Sequence, residues 1–428
     1  MKAHPWKRQH AVLVLGTVFA LVAMSCGDDD EAGTAGTTTA PAASEAGPET
    51  TAAGGEAAPA GEEFDVDPAL MARALGTEES EGVPQEVLAA FTRAGKDVTP
   101  EQLEKALVCW KDQTCDTGTG GDVTVALADG FGENVWRQLT HMEFILQALT
   151  YPDIGKIVYT SAQGDTAKAI SDFRSLIAQE VDIIATFPDS GEALLPTARE
   201  ATQRGIKVIP YISTLGGTAG EDYLTYVAED LCQLGKSFAA VLNEELGGTG
   251  KVALLGGTPG NPVSQAWQTC EEAELADGIE VVGKADTNWT REGTLQAVSS
   301  LLSQHPDLAG ISYEYADGFL GGLQAFQAAN VEPNIVLTLR TDEVGLFCEW
   351  KKLKDPDFKI AFSSGAGFDS RIALTAGMMS LAGEDVPPAI VVPAAMRPLT
   401  DEGCNENIPP EAPASTLVPD EVLTAMYS

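Results

Sequence analysis

Aromatic, amide, carboxylate and guanidinium side chains recur just past the apolar runs that read as β-strands. After residues 123–127 come Phe131, Asn134, Trp136 and Arg137; after 182–185 comes Asp189; at and after the end of 208–211 come Tyr211 and Ser213. Past 252–255 lie Asn261 and Ser264, and past 280–282 lies Trp289. Tyr315 and Asp317 follow 310–313, and Arg340 and Asp342 follow 335–337. Such residues do the chemistry of recognition. Flat rings cover a C–H surface, while carboxylates, amides and Arg bond hydroxyl groups, the mixture that a sugar requires. Any one of these rings alone reads first as core, but seven strand ends with the same chemistry point to a ligand.

No competing chemistry is nominated. Gly247-Gly248-Thr249-Gly250-Lys251 imitates a phosphate loop, but Glu245 stands where its first Gly belongs and Val252 follows the Lys. No Ser occupies a GxSxG elbow and no CxxC pair exists. Of four His, His4 and His10 lie in a segment that reads as removed, His141 sits inside a helix and His305 at a helix end, which fits packing or capping. The expectation is a non-enzyme with no catalytic residue, no metal and no cofactor. A net charge of −37 argues against nucleic acid, which needs a basic face.

The elements that position these residues are strands alternating with helices of 10–15 residues from 122 to 400. That pattern makes parallel sheets with right-handed crossovers, and the span is too long for one such sheet, so two α/β lobes are expected. Ahead of them, 66–121 reads as a helical cap: Thr99-Pro100-Glu101-Gln102 supplies an N-cap, a Pro at the first helical position and a capping Gln. Its Cys109 and Cys115 are close enough to clip a turn, and Cys348 with Cys404 is a further candidate pair. Cys232 and Cys270 are either a third pair or buried thiols.

The N-terminus reads as an export signal. Lys2, Lys7 and Arg8 precede an apolar stretch, 11–24, too short to span a membrane. It ends in Val22-Ala23-Met24-Ser25-Cys26, which resembles a bacterial lipobox with Ala23 in place of the usual Leu. Residues 1–25 are therefore expected to be a lipoprotein signal peptide and Cys26 the lipidated residue, the alternative being an ordinary signal peptide cut elsewhere. The acidic tract 26–65 cannot offset the entropy of ordering it, and as a flexible tether would reach roughly 35 Å.

The order and spacing over 122–400 resemble the type I periplasmic binding proteins, specifically the ribose-like sugar-binding lipoproteins of ABC importers. Asn134-Val135-Trp136 is similar to that family's first-strand loop, where one of two paired aromatics is kept. Phe187-Pro188-Asp189-Ser190 looks like its Asn-Pro-X-Asp-Ser turn, and Tyr226-Val227-Ala228-Glu229-Asp230 its segment between lobes. Trp289 in Asp286-Thr287-Asn288-Trp289-Thr290-Arg291 matches the sugar-stacking aromatic, and His305-Pro306-Asp307 its structural signature. The resemblance implies two doubly wound parallel-sheet lobes joined by a three-strand hinge, with crossings near 227–229, 363–364 and 392–393. The N-lobe would be 122–227 plus 365–392, the C-lobe 228–364 plus 393–400, and 401–428 a tail. It implies a monomer that binds a sugar or sugar-like small molecule for an ABC permease, held at the outer face of the cell membrane by lipid alone. A receptor-presenting sensor, or a binder of a nucleoside or amino acid, is the alternative. Three departures, Ile212-Ser213 for Asp-Arg, Ser264 for Arg, and Arg340 for Asp, suggest a ligand other than ribose, one with an acidic group.

Overall fold

The computed structural model describes residues 64–131 and 134–427, all within one unit, Glu62–Ser428. The signal segment, Cys26 and the tether up to residue 63 lie outside the described residues.

Three helices open the chain: α1 (Pro68–Leu75), α2 (Gln85–Ala94) and α3 (Pro100–Lys111). The first and third start with a side-chain cap. Asp67 accepts from the Ala69 N–H, and Thr99 and Gln102 form the reciprocal capping box read from the sequence. Strand β1 (Thr114–Asp116) replaces the expected turn; it lies antiparallel on β3 and faces Cys115 inward, joined to Cys109. These segments are not a separate cap. Met71, Leu75, Val87 and Phe91 are buried in the same core as Val125, Ile145 and Ile372 of the first lobe.

That lobe carries β2 (Val123–Asp129), α4 (Val135–Ala148), β3 (Ile154–Ser161), α5 (Thr166–Ala178), β4 (Ile183–Phe187), α6 (Leu195–Gln203) and β5 (Lys207–Pro210). The sheet order is β1-β3-β2-β4-β5, with β2 parallel to both neighbours. Strand β6 (Tyr226–Glu229) then crosses to the second lobe.

The second lobe holds α7 (Leu231–Glu245), β7 (Thr249–Gly256), α8 (Pro262–Glu274), β8 (Gly278–Asp286), α9 (Arg291–Gln304), β9 (Leu308–Tyr313), α10 (Ala316–Ala329), β10 (Val336–Leu339), α11 (Val344–Leu353) and β11 (Lys359–Phe362). After β11 the chain returns to pack α12 (Asp369–Leu381) in the first lobe's core. It crosses again as β12 (Ala389–Val392), paired in parallel with β6. Strand β13 (Arg397–Pro398) closes the second sheet, in the order β13-β11-β10-β9-β7-β8.

The remaining residues are not a free tail. Helix α13 (Asp420–Tyr427) buries Val422 and Leu423 in the first core, and Glu143 accepts bonds from Thr416 and the Leu417 N–H. Disulfides join Cys232 to Cys270, between α7 and α8, and Cys348 to Cys404. No helix among the described residues is long and apolar enough to cross a membrane.

Candidate functional site

Parallel pairing sets strand ends level, so the loops after them meet at one edge of each sheet. Asp129 pairs with Phe187 across β2 and β4, and Tyr313 pairs with both Leu255 and Leu339. The two edges face each other over a cleft of about 760 Å³, its open mouth included. Ligands of open α/β sheets sit at such edges.

From the first lobe the cleft is lined by Phe131, Asn134, Trp136, Arg137, Phe187, Asp189, Ile212 and Ser213. The second lobe contributes Asn261, Pro262, Val263, Trp289, Glu314, Tyr315, Arg340 and Thr341. The walls touch: Phe131 meets Trp289 edge-on, ring centroids 5.9 Å apart. Backbone strain collects here, since Ile212 and Trp289 hold left-handed conformations (φ 60° and 51°) that side chains seldom adopt. Two glycines let the walls form. A Cβ on Gly130 would stand 2.7 Å from the Asp189 carboxylate, and one on Gly257 would stand 2.0 Å from the Trp289 ring.

Arg137 is the pivot of the first wall. Its Nη1 donates to Asp129 at 3.1 Å, its Nη2 to both Asp189 oxygens at 3.0 Å, and its guanidinium carbon lies 3.7 Å from the Phe187 ring centroid. Burial works against its charge, but the two carboxylates outweigh burial and hold its pKa above the ordinary value. The Asp189 carboxyl, 17% exposed, is pushed up to about 6, because burial and the neighbouring Asp129 charge outweigh Arg137.

On the second wall Glu314 is 1% exposed and accepts from Ser264 Oγ (2.5 Å), Trp267 Nε1 (3.2 Å) and Trp289 Nε1 (3.1 Å). Burial raises its pKa. Arg340 is already matched: its Nε and Nη2 donate to the two Glu229 oxygens, each at 2.7 Å, in a fork between the second lobe and the end of β6. Trp136 donates to the Gly365 carbonyl at 2.9 Å, tying the first wall to the crossing after β11.

Ten of the fourteen sequence candidates line this cleft: Phe131, Asn134, Trp136, Arg137, Asp189, Ser213, Asn261, Trp289, Tyr315 and Arg340. Asn134 and Asn261 also cap α4 and α8. The other four stand behind it. Tyr211 is buried against the Phe187 ring, and Ser264 supports Glu314. Asp317 pairs with Arg291, and Asp342 binds the Ser415 N–H and hydroxyl in the C-terminal segment. Phe187, Glu314, Glu229 and Thr341 were not singled out as site residues. Glu314 stands two places beyond Ser312 and shares its side of the chain, so strand alternation was the available signal. His141 packs on Tyr159, centroids 3.8 Å apart, and His305 caps α9. No metal-holding cluster occurs among the described residues.

A family model described as a periplasmic binding protein domain matches residues 125–346, just over half of the 428. The chain belongs to this family. It is 28% identical to the ribose import binding protein of Bacillus subtilis over 175 residues, 41% of this chain and 56% of that protein. The match thus spans little more than half of the curated relative. In solved structures, it superposes on an ABC transporter periplasmic solute binding protein of Actinobacillus succinogenes, crystallised with D-allose. The TM-score there is 0.58 at 20% identity, covering 66% of this chain and 98% of that one. A fructose binding periplasmic domain of a hybrid two-component system gives 0.56 at 20% identity, covering 64% and 90%. The relatives are binding proteins by name, and the site described here carries binding groups rather than a catalytic set.

Proposed function

We propose that this chain is an extracytoplasmic solute-binding protein that closes its two lobes around one sugar or sugar-like small molecule. It would deliver that molecule, as a monomer and without a cofactor, to an ABC permease, anchored by lipid on Cys26. The observation that carries the reading is the make-up of the cleft, with rings on both walls (Phe131, Trp136, Phe187, Trp289 and Tyr315) interleaved with Asn134, Asp189, Asn261 and Glu314. Ring faces suit the C–H surface of a pyranose or furanose, and the polar groups suit its hydroxyls. The relatives bind ribose and allose according to their names.

The test is a thermal-shift and calorimetric screen of the purified chain against sugars, polyols, sugar acids, nucleosides and amino acids. A ligand at 100 times its Kd should add about 2.7 kcal/mol of stability. Hits confined to nucleosides or amino acids, or none at all, would refute the sugar assignment. Palmitate labelling lost in Cys26→Ala would support the anchor. Similarity to a sensor's binding domain favours one other use of the same cleft, presentation of bound solute to a membrane receptor. A permease that co-purifies with the liganded chain separates the two.

A further inference from the structure

The charges around the cleft do not balance. Two guanidiniums, Arg137 and Arg340, face five carboxylates: Asp129, Asp189, Glu229, Glu314 and Asp369. Arg137 is shared by Asp129 and Asp189, and Arg340 is taken in a fork by Glu229. Glu314 receives only neutral N–H and O–H donors. Asp369, fully buried beside Glu229 and Arg340, has no hydrogen bond to either oxygen among the described residues. Enclosed charge of one sign is expensive unless it is protonated or met by an opposite charge. Burial pushes Asp189 up to about 6 and raises Glu314 and Asp369, so each resists carrying its charge without a partner. Of the five, Asp189 and Glu314 line the cleft, and of these two only Glu314 has no hydrogen bond from a guanidinium. Five aromatic rings line the same space, and a ring face attracts a cation.

We propose that the cleft selects a sugar-sized ligand bearing a protonated amine, its ammonium received by the Glu314 carboxylate and the Trp289 and Phe131 rings. This rests on the solute-binding reading above and narrows it. It also reverses the expectation of an acidic ligand drawn from Arg340, because that guanidinium is spent on Glu229 and offers no surplus positive charge.

The experiment is isothermal titration of the full chain at pH 6 with matched probes. These are D-glucose, D-glucosamine, N-acetyl-D-glucosamine and D-glucuronate, the galacto and manno counterparts, and choline. In at least one series the amine should bind ten-fold or more tightly than its neutral parent, and the uronate more weakly still. An ammonium entering beside Asp189, pushed up to about 6, and Glu314, raised by burial, favours the charged form of each and should expel protons. The amine's binding enthalpy should therefore change with the buffer's ionisation enthalpy, while a neutral sugar's should not. Glu314→Gln should remove most of the ten-fold preference. Should that variant fail to fold, the proton release of the unaltered chain still decides the matter. Neutral sugars binding as tightly as amines, with no proton release, would overturn this inference and leave the sugar reading standing. Choline binding alone would keep cation recognition and refute the sugar frame. A blank across all series would overturn both.

Discussion

Trp289 offers the sharpest separation of binding from folding. Its ring faces the cleft and meets Phe131, while its Nε1 donates to buried Glu314 at 3.1 Å. Truncation to Ala removes a stacking face of roughly 60 Å², worth about 1.5 kcal/mol at 25 cal/mol per Å². Ring geometry adds about 1 kcal/mol. The sum, near 2.5 kcal/mol, corresponds to a rise in Kd of about 70-fold. Trp289→Phe keeps a face and loses the donor. Its cost falls on the fold, about 1.5 kcal/mol for a hydrogen bond to a buried carboxyl, which lowers Tm by about 2 °C in a chain of this size. Its Kd should rise less than five-fold. Calorimetry on the identified ligand and thermal melts of both variants give the two readouts. Trp289→Ala binding as tightly as the parent would refute the stacking role, and a Trp289→Phe that loses binding like Ala would show that the hydrogen bond, not the face, holds the ligand.

Three further outcomes follow from the structure. Phe91→Ala, at a fully buried ring 5.3 Å from Phe368, should cost about 4 kcal/mol and about 5 °C in Tm. Ligand Kd should stay unchanged, and a melt equal to the parent's would show that helices α1–α3 are not part of the first lobe's core. Glu271 and Glu343 are pushed up to about 8 by burial, so at pH 7 the fold holds protons that the unfolded chain has lost. Stability from these groups is full below about pH 4.5 and drains as pH rises through 8, by on the order of a few kcal/mol. His141, pushed down to about 3 by burial, acts in the other direction: the unfolded chain takes up its proton below about 6.5, so stability falls as the solution acidifies towards 3. Urea midpoints from pH 4 to 9 should lose part of the alkaline slope in Glu271→Gln, Glu343 keeping the rest, and part of the acid slope in His141→Gln, and unchanged slopes would contradict the assignments. Replacing the Cys232–Cys270 pair with Ala opens a loop of 38 residues, a cost of about 4 kcal/mol from chain entropy, against about 2 kcal/mol for the six-residue Cys109–Cys115 loop. Denaturant melts of the two double variants check that order.

Much of this molecule was written in local patterns. The alternation of apolar runs with capped helices fixed a two-sheet α/β architecture, because strand and helix periods depend only on neighbours in sequence. Asn134, Trp136, Asp189 and Trp289 could be named in advance because strand ends are binding edges whatever the rest of the fold does. Tertiary structure decided what those patterns could not carry. Arg340 read as a free cation until folding set it against Glu229, 111 positions away. Glu314 is hidden between two tyrosines in sequence, and only the approach of α8 and Trp289 makes it the acidic floor of the second wall. Asp342 and Asp317 follow the same strand-end rule as the lining residues, yet they turn to Ser415 and Arg291 because those partners come from remote segments. Residues 66–121 and 401–427 looked like appendages because each has too little apolar surface to stand alone; together they close over the first lobe's core. Local chemistry chose the side chains, and long-range packing chose which of them keep their charge for a ligand.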